Sequence, residues 1–317
     1  MRLTTWLADD GPAVGLLTGD DRVVRLASAE GGLDLALVDG RLDDLRAEVA
    51  GLSGHGGREL TARAAARAIP LAGLQPLPAL EYPGKIVCVG LNYRDHLEEQ
   101  HLEMPDRPLL FAKFSNTIVA DGEPIVRPEG TRALDLEVEL GVAIGRTARR
   151  VDAADAMACV AGYLVVNDIS ARDWQGSRAA LAPGERGDGQ WLRAKGSDTF
   201  FPIGPVFVTA DEIADPHALR LRSWRIPGAG PAAGSRQPMQ DGSTAGMLWR
   251  IPELIAFVSR AITLEPGDIL STGTPAGVGV FRDPPVFLEP GDRVRCEIEG
   301  IGSVENPIVD WTAADAT

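Results

Sequence analysis

From Lys85 onward the chain is written in short apolar runs separated by glycine and proline, and that punctuation limits the fold more than any other feature. The runs KIVCVGL, LDLEVELGVAIG, YLVVNDIS, FPIGPVFVT, DILSTGT and RVRCEIEGIG are rich in β-branched residues and predict strands. The chain draws on 36 glycines and 23 prolines, the residues that shape turns and stop helices. One long helix is expected over Pro252–Leu264, with Pro252 in its first turn. Asn92 is expected to cap a short helix in NYRDHLEEQHL. Many strands with few helices predict an α+β, β-rich domain on a rolled or barrel-like sheet.

The first eighty residues have a different texture. Alternating runs at Leu3–Leu7, Val14–Leu17 and Val23–Leu26, split by DDGP and TGDD turns, predict a small sheet. A Leu, Ala and Arg-rich stretch over 42–68 has helical spacing interrupted by GLSGHGG. Pro70, Pro76, Pro78 and Pro83 then mark an extended connector. The chain is thereby divided into a small N-terminal α/β domain (1–79) and a larger unit (80–317). Two Gly/Pro/Ala-rich segments, 176–189 and 225–238, exceed ordinary connections and are expected to shape a binding pocket.

Charge narrows the partners. Thirty-one basic against 45 acidic side chains give a net charge of −14 and a pI near 4.8, which disfavours nucleic acids and anionic membranes. No apolar stretch is long enough to span a bilayer. Cys88, Cys159 and Cys296 form no CxxC pair, as expected of small core thiols in a reducing compartment. The N-terminus reaches Asp9 and Asp10 before any signal-peptide core. These features read as a cytoplasmic protein with a small-molecule partner.

In the strand LDLEVELGVAIG alternate residues share a face, which puts Glu137 and Glu139 on one side, about 7 Å apart at Cα. An isolated Glu-x-Glu pair is commonly a solvated strand face. Asp168, after the apolar run YLVV, can point into the same interior. Three carboxylates without cysteine or clustered histidine are hard ligands suited to Mg²⁺ or Mn²⁺. His96 and Glu99 are three apart on a helix, so the carboxylate can orient the imidazole or share a water with it. His55, His101 and His217 are the only other histidines. Lys195, between Trp191 and Phe200–Phe201, could stabilise an enolate. Arg172 and Gln175 follow Asp168 closely enough to bind a substrate carboxylate. Thr272 and Thr274 sit in the Gly-rich turn STGTPAGVG, whose N–H groups could receive an anion.

Taken together and in this order, KIVCVGLNYRDHLEE, LDLEVELGVAIG, VAGYLVVNDISARDWQ, WLRAKGSDTFFPIGPV, PGDILSTGTPAGVG and IEGIGSVENPIV resemble the fumarylacetoacetate hydrolase family. The resemblance covers nearly everything from Lys85 to Val309. It implies a mixed β-roll catalytic domain, a divalent metal and a homodimer. By position it implies Glu137, Glu139 and Asp168 as metal ligands, His96 and Glu99 as a water-activating pair, and Lys195 as the active-site lysine. Arg172, Gln175 and Thr274 fall on its substrate contacts. Gly196 stands where many members carry a bulkier residue, and the two long segments replace short links; these departures bear on the substrate rather than the metal.

The expected reaction is metal-dependent cleavage of a carbon–carbon bond in a β-diketo or 2-oxo acid such as an acylpyruvate. Glu99, through His96, would activate water, and Lys195 would help to hold the resulting enolate. The same enolate serves an alternative: decarboxylation or isomerisation of a 2-oxo diacid, or dehydration of a sugar acid. A non-catalytic binding protein that keeps the fold is the reading from another class. Against it stands the presence of every polar residue that the chemistry requires.

Overall fold

The computed structural model describes residues 1–52 and 60–312. Strands β1 (Arg2–Ala8), β2 (Gly11–Leu17) and β3 (Arg22–Arg25) form the meander expected from their alternation. Helices α1 (Leu33–Val38), α2 (Leu42–Leu52) and α3 (Ala62–Ala65) follow. Most of GLSGHGG, with His55, lies outside the described residues. The proline-rich segment is more than a connector: β4 (Ile69–Pro70) pairs with β3, and β5 (Gln75–Pro76) pairs with β1.

Next come β6 (Ile86–Gly90), α4 (Arg94–Glu99), β7 (Leu109–Lys113), β8 (Ile118–Val119) and β9 (Ile125–Arg127). The run LDLEVELGVAIG is not one strand but two, β10 (Leu134–Asp135) and β11 (Val138–Ile144). Then follow α5 (Ala153–Ala156), β12 (Val160–Asn167), β13 (Ser170–Ala171), α6 (Arg172–Gln175), α7 (Trp191–Gly196), β14 (Phe201–Pro202) and β15 (Val206–Thr209). The chain closes with β16 (Arg220–Ile226), β17 (Gln237–Ser243), α8 (Ile251–Ser259), β18 (Ile269–Ser271), β19 (Arg293–Ile298) and β20 (Gly302–Asp310).

A large mixed sheet runs β4-β3-β2-β1-β15-β12-β11-β18-β6-β7, with β5 beside β1. Strands from the first eighty residues thus continue the sheet that carries β11 and β12. A second sheet, β17-β16-β19-β20-β9, shares a core with it. Leu140, Val142, Tyr163 and Val165 from the large sheet meet Leu221, Val294, Cys296 and Val304 there. On the opposite face Ala143, Leu164 and Val166 join the cluster of Leu33, Leu37 and Leu45. Each buried Leu or Val contributes roughly 1.5–3 kcal/mol. Both faces of β11 are therefore covered, and all seven of its residues are buried. Gly162 lets β12 cross close to β15, since a Cβ there would lie 2.3 Å from the Val208 carbonyl oxygen. The architecture is α+β and β-rich, as the strand signals predict.

Three local expectations need correction. Asn92 does not cap α4; Tyr93 occupies that position, and the Asn92 amide donates to the Thr272 carbonyl at 2.7 Å and accepts from the Trp249 N–H. Helix α8 starts one residue early, where its Glu253 carboxylate accepts the Arg250 N–H and closes the first turn, and it ends at Ser259. Segment 225–238 is the tip of the β16–β17 hairpin, with Arg225 opposite Gln237, and none of it lines the cavity described next.

Candidate active site

The break between β10 and β11 builds the site. Leu136 and Glu137 fall between the two strands, and side chains replace the missing ladder. The Glu137 N–H donates to Asn167 Oδ1 at 3.0 Å, and the Val138 N–H donates to Gln240 Oε1 at 2.9 Å. The Asp168 N–H donates back to the Glu137 carbonyl at 2.9 Å, which brings the end of β12 beside the start of β11. Glu137, Glu139 and Asp168 are buried, and one carboxylate oxygen from each lies within 4.8 Å of the others.

Three buried cations enclose this trio. Lys195, in the last turn of α7, donates to Glu137 Oε2 at 2.7 Å and to Asp168 Oδ2 at 2.8 Å. Lys113, at the end of β7, pairs with Asp168 Oδ1 at 2.7 Å. Arg172 reaches Asp135 Oδ2 at 2.9 Å, Glu137 Oε1 at 2.6 Å and Gln175 Oε1 at 3.1 Å. A substrate carboxylate arriving at Arg172 would therefore share a guanidinium already engaged by protein groups.

Four buried carboxylates (Asp135, Glu137, Glu139, Asp168) face three cations, which leaves one negative charge in excess. It falls on Glu139. Burial, and then the charges of Asp168 and Glu137, push its carboxyl well above the usual range. Burial also acts on Glu137, but Lys195, Arg172 and His96 outweigh it and hold that carboxyl far below the usual range. Burial lowers Lys113, whereas at Lys195 it is outweighed by Asp168 and Glu137, which raise the ammonium above its ordinary value. Excess negative charge on hard oxygens, relieved by a proton or a cation, fits a hard divalent cation.

The other polar wall comes from α4. His96 is 5 % exposed; its Nδ1 lies 3.0 Å from Glu99 Oε2, and its ring meets Phe281 edge-on. Glu99 Oε1 accepts the Gly277 N–H at 2.9 Å. The Gly-rich turn after β18 does receive anions, but they are the chain's own. Its Gly273, Gly277 and Gly279 N–H groups donate to Glu139, Glu99 and Asp135. Gly277 has φ +102°, and a Cβ there would meet the Met239 carbonyl oxygen at 2.4 Å. Thr274 Oγ1 donates to the Val138 carbonyl at 2.9 Å and accepts from Gln240 Nε2 at 2.6 Å, whereas the Thr272 hydroxyl is turned to the Leu140 carbonyl.

A cavity of about 260 Å³ opens onto these groups. His96, Glu137, Glu139, Arg172, Gln175, Lys195 and Thr274 line it, with Phe111, Trp191, Leu102 and Phe281 as apolar walls. Gly176 and Ser177 bring the start of segment 176–189 to its rim. Apart from Thr272, the candidate site residues singled out from the sequence converge here, Asp168 and Glu99 through their partners. Sequence reading missed Lys113, Asp135 and Gln240. Lys113 left a signal, a charged residue inside the apolar run LLFAKF; Gln240 left none.

Residues 85–309 match the family described as fumarylacetoacetate (FAA) hydrolase C-terminal. The chain is 45% identical over 241 residues to the mitochondrial oxaloacetate tautomerase of Rattus norvegicus, and 44% identical to that of Homo sapiens; each alignment covers 76% of this chain and 71% of the relative. Among solved structures, the fumarylacetoacetate hydrolase of Exiguobacterium antarcticum superposes with a TM-score of 0.77 at 30% identity, covering 98% of this chain and all of that one. The 5-carboxymethyl-2-hydroxymuconate delta-isomerase of Mycobacterium smegmatis does so with a TM-score of 0.71 at 32% identity, covering 98% of this chain and all of that one. The mitochondrial relatives overturn the cytoplasmic reading. Its physical basis was too coarse, because three buried unpaired cysteines fit any reducing compartment. Among the described residues no helix is long and apolar enough to cross a membrane. With its family match over most of the chain and the carboxylate trio in place, the protein belongs to the fumarylacetoacetate hydrolase family.

Proposed function

We propose that the chain is a divalent-metal-dependent enzyme that interconverts the enol and keto forms of a small 2-oxo acid of the oxaloacetate type. The observation that carries this reading is a single cavity lined both by a carboxylate-oriented imidazole, His96, and by a buried ammonium, Lys195. Relatives named as oxaloacetate tautomerases and a neighbour named as an isomerase support it.

Glu137, Glu139 and Asp168 would hold the ion, which supplies Lewis-acid polarisation of the 2-oxo group when bound. Glu99 accepts from Nδ1–H of His96, which leaves Nε2 as the basic nitrogen. In the keto-to-enol direction His96 Nε2 takes a proton from C3, and the C–H electrons become the C2=C3 bond. The C2 oxygen receives a proton from Lys195 Nζ, and both side chains recover their starting states by exchange with solvent. Phe111, Trp191 and Phe281 give the cavity an apolar wall beside these two side chains. The division into 1–79 and 80–317, the roles of Arg172, Gln175 and Thr274 as substrate contacts, and a homodimeric assembly belong to the same proposal.

A second reading, hydrolysis of a carbon–carbon bond in an acylpyruvate, is favoured by the tethering of Glu99 to Gly277, which sets the His96–Glu99 pair to activate a water. One product assay separates the two. Enol oxaloacetate should lose its ultraviolet absorbance faster with enzyme and Mg²⁺, without release of CO₂, and acetylpyruvate should yield no acetate. Acetate release at a comparable rate would establish the hydrolase instead.

A further inference from the structure

Lys113 is a buried charged group that takes no part in the proton transfers above. The Lys113 side chain is fully buried, and its ammonium is surrounded by four oxygens from three segments. Asp168 Oδ1 lies at 2.7 Å, the Ile169 carbonyl at 3.1 Å and the Phe200 carbonyl at 2.8 Å, and the Lys195 carbonyl completes the set. The rings of Phe200 and Phe201 lie 5.9 and 5.7 Å from the ammonium. The three N–H donors of the ammonium go to the three carbonyls, and Asp168 Oδ1 is held beside it as an ion pair, so no donor is left for a ligand. The four oxygens are not a random sample of the interior. One belongs to the carboxylate of the trio that Lys195 also grips, one to the residue after it, and one to Lys195 itself.

We propose that Lys113 is a positioning residue that fixes Asp168 and the last turn of α7 relative to each other, so that Asp168 offers a carboxylate oriented for a cation. The inference rests on the reading of Glu137, Glu139 and Asp168 as a cation site. It differs from a charge-balancing role in the sign of its consequence. Removing a nearby positive charge should by electrostatics alone tighten binding of a divalent ion. Releasing the Asp168 carboxylate from its anchor should weaken it, because hard cations demand placed oxygens.

Calorimetric titration of Mn²⁺ into the full chain separates the two. Lys113→Met keeps the length of the stem and removes the ammonium. It is expected to weaken Mn²⁺ binding at least tenfold, and in the Asp168→Asn background the same change should alter affinity less than twofold, since the group it acts through is already altered. Affinity unchanged or tightened by Lys113→Met, or an equal loss in both backgrounds, overturns the proposal. Should Lys113→Met fail to fold, the Lys113→Met/Asp168→Asn double variant is expected to unfold cooperatively, because three carboxylates against two cations restore the parent's single excess negative charge; failure of the double variant as well overturns the proposal. A parent protein that binds no Mn²⁺ would instead remove the cation-site reading on which the inference stands.

Discussion

Replacing Lys195 by methionine keeps the volume of the side chain and leaves Glu137 Oε2 and Asp168 Oδ2 without the partner they hold at 2.7 and 2.8 Å. Breaking a buried ion pair from one side costs roughly 3–5 kcal/mol, because the remaining charge stays buried. At about 2.1 cal/mol/K per residue, the unfolding entropy of this chain is roughly 0.7 kcal/mol per degree, so the melting temperature in chelator should fall by ~4–8 °C. The substitution also adds to the negative charge around Glu139, while Lys113 still anchors Asp168 Oδ1. A divalent ion should therefore restore more stability to the variant than it adds to the parent. Scanning calorimetry of both proteins in EDTA and in saturating Mn²⁺ reads the two effects together. A variant that melts within a degree of the parent in EDTA, or gains no more from Mn²⁺ than the parent does, refutes the electrostatic reasoning. Turnover should fall by about 10²–10³, the usual loss of one donor to a developing oxyanion.

Glu139→Gln should abolish Mg²⁺-dependent turnover yet melt in chelator no lower than the parent, since it removes the carboxylate that Asp168 and Glu137 repel. Because burial and those two charges raise the Glu139 carboxyl, a proton competes with the ion: Mn²⁺ affinity should weaken as pH falls, by up to about tenfold per pH unit, and binding should release a proton, measurable by titration in buffers of different ionisation enthalpy. His96→Ala should lower the rate by about 10²–10⁴ with little change in substrate affinity; equal losses in both would mark a structural histidine.

Period-two alternation was enough to place Glu137 and Glu139 on one face, and the apolar run before it was enough to aim Asp168 at them. It could not show that the strand breaks at Leu136–Glu137, because the groups that replace its ladder, Asn167 and Gln240, are 30 and 102 residues away. The role of Lys113 is hidden in the sequence for a related reason. A lysine is ordinarily solvated, and only the folded chain brings carbonyls from Ile169, Lys195 and Phe200 to its ammonium. The glycine-rich turn was legible as a set of anion-seeking N–H groups, but not that Glu139, Glu99 and Asp135 fill them. The Arg172 fork was likewise legible as a carboxylate binder, while its partners, Asp135 and Glu137, lie more than thirty residues upstream. Local pattern reported the chemical character of each group; its partner was set by the sheets.

The most direct measurement is anomalous diffraction from a crystal soaked in saturating Mn²⁺. The expected result is one strong peak within about 2.3 Å of carboxylate oxygens from Glu137, Glu139 and Asp168 together. No peak among those three side chains, or a peak held by other residues while this trio keeps only its bonds to Lys113, Lys195 and Arg172, would contradict the assignment of the site.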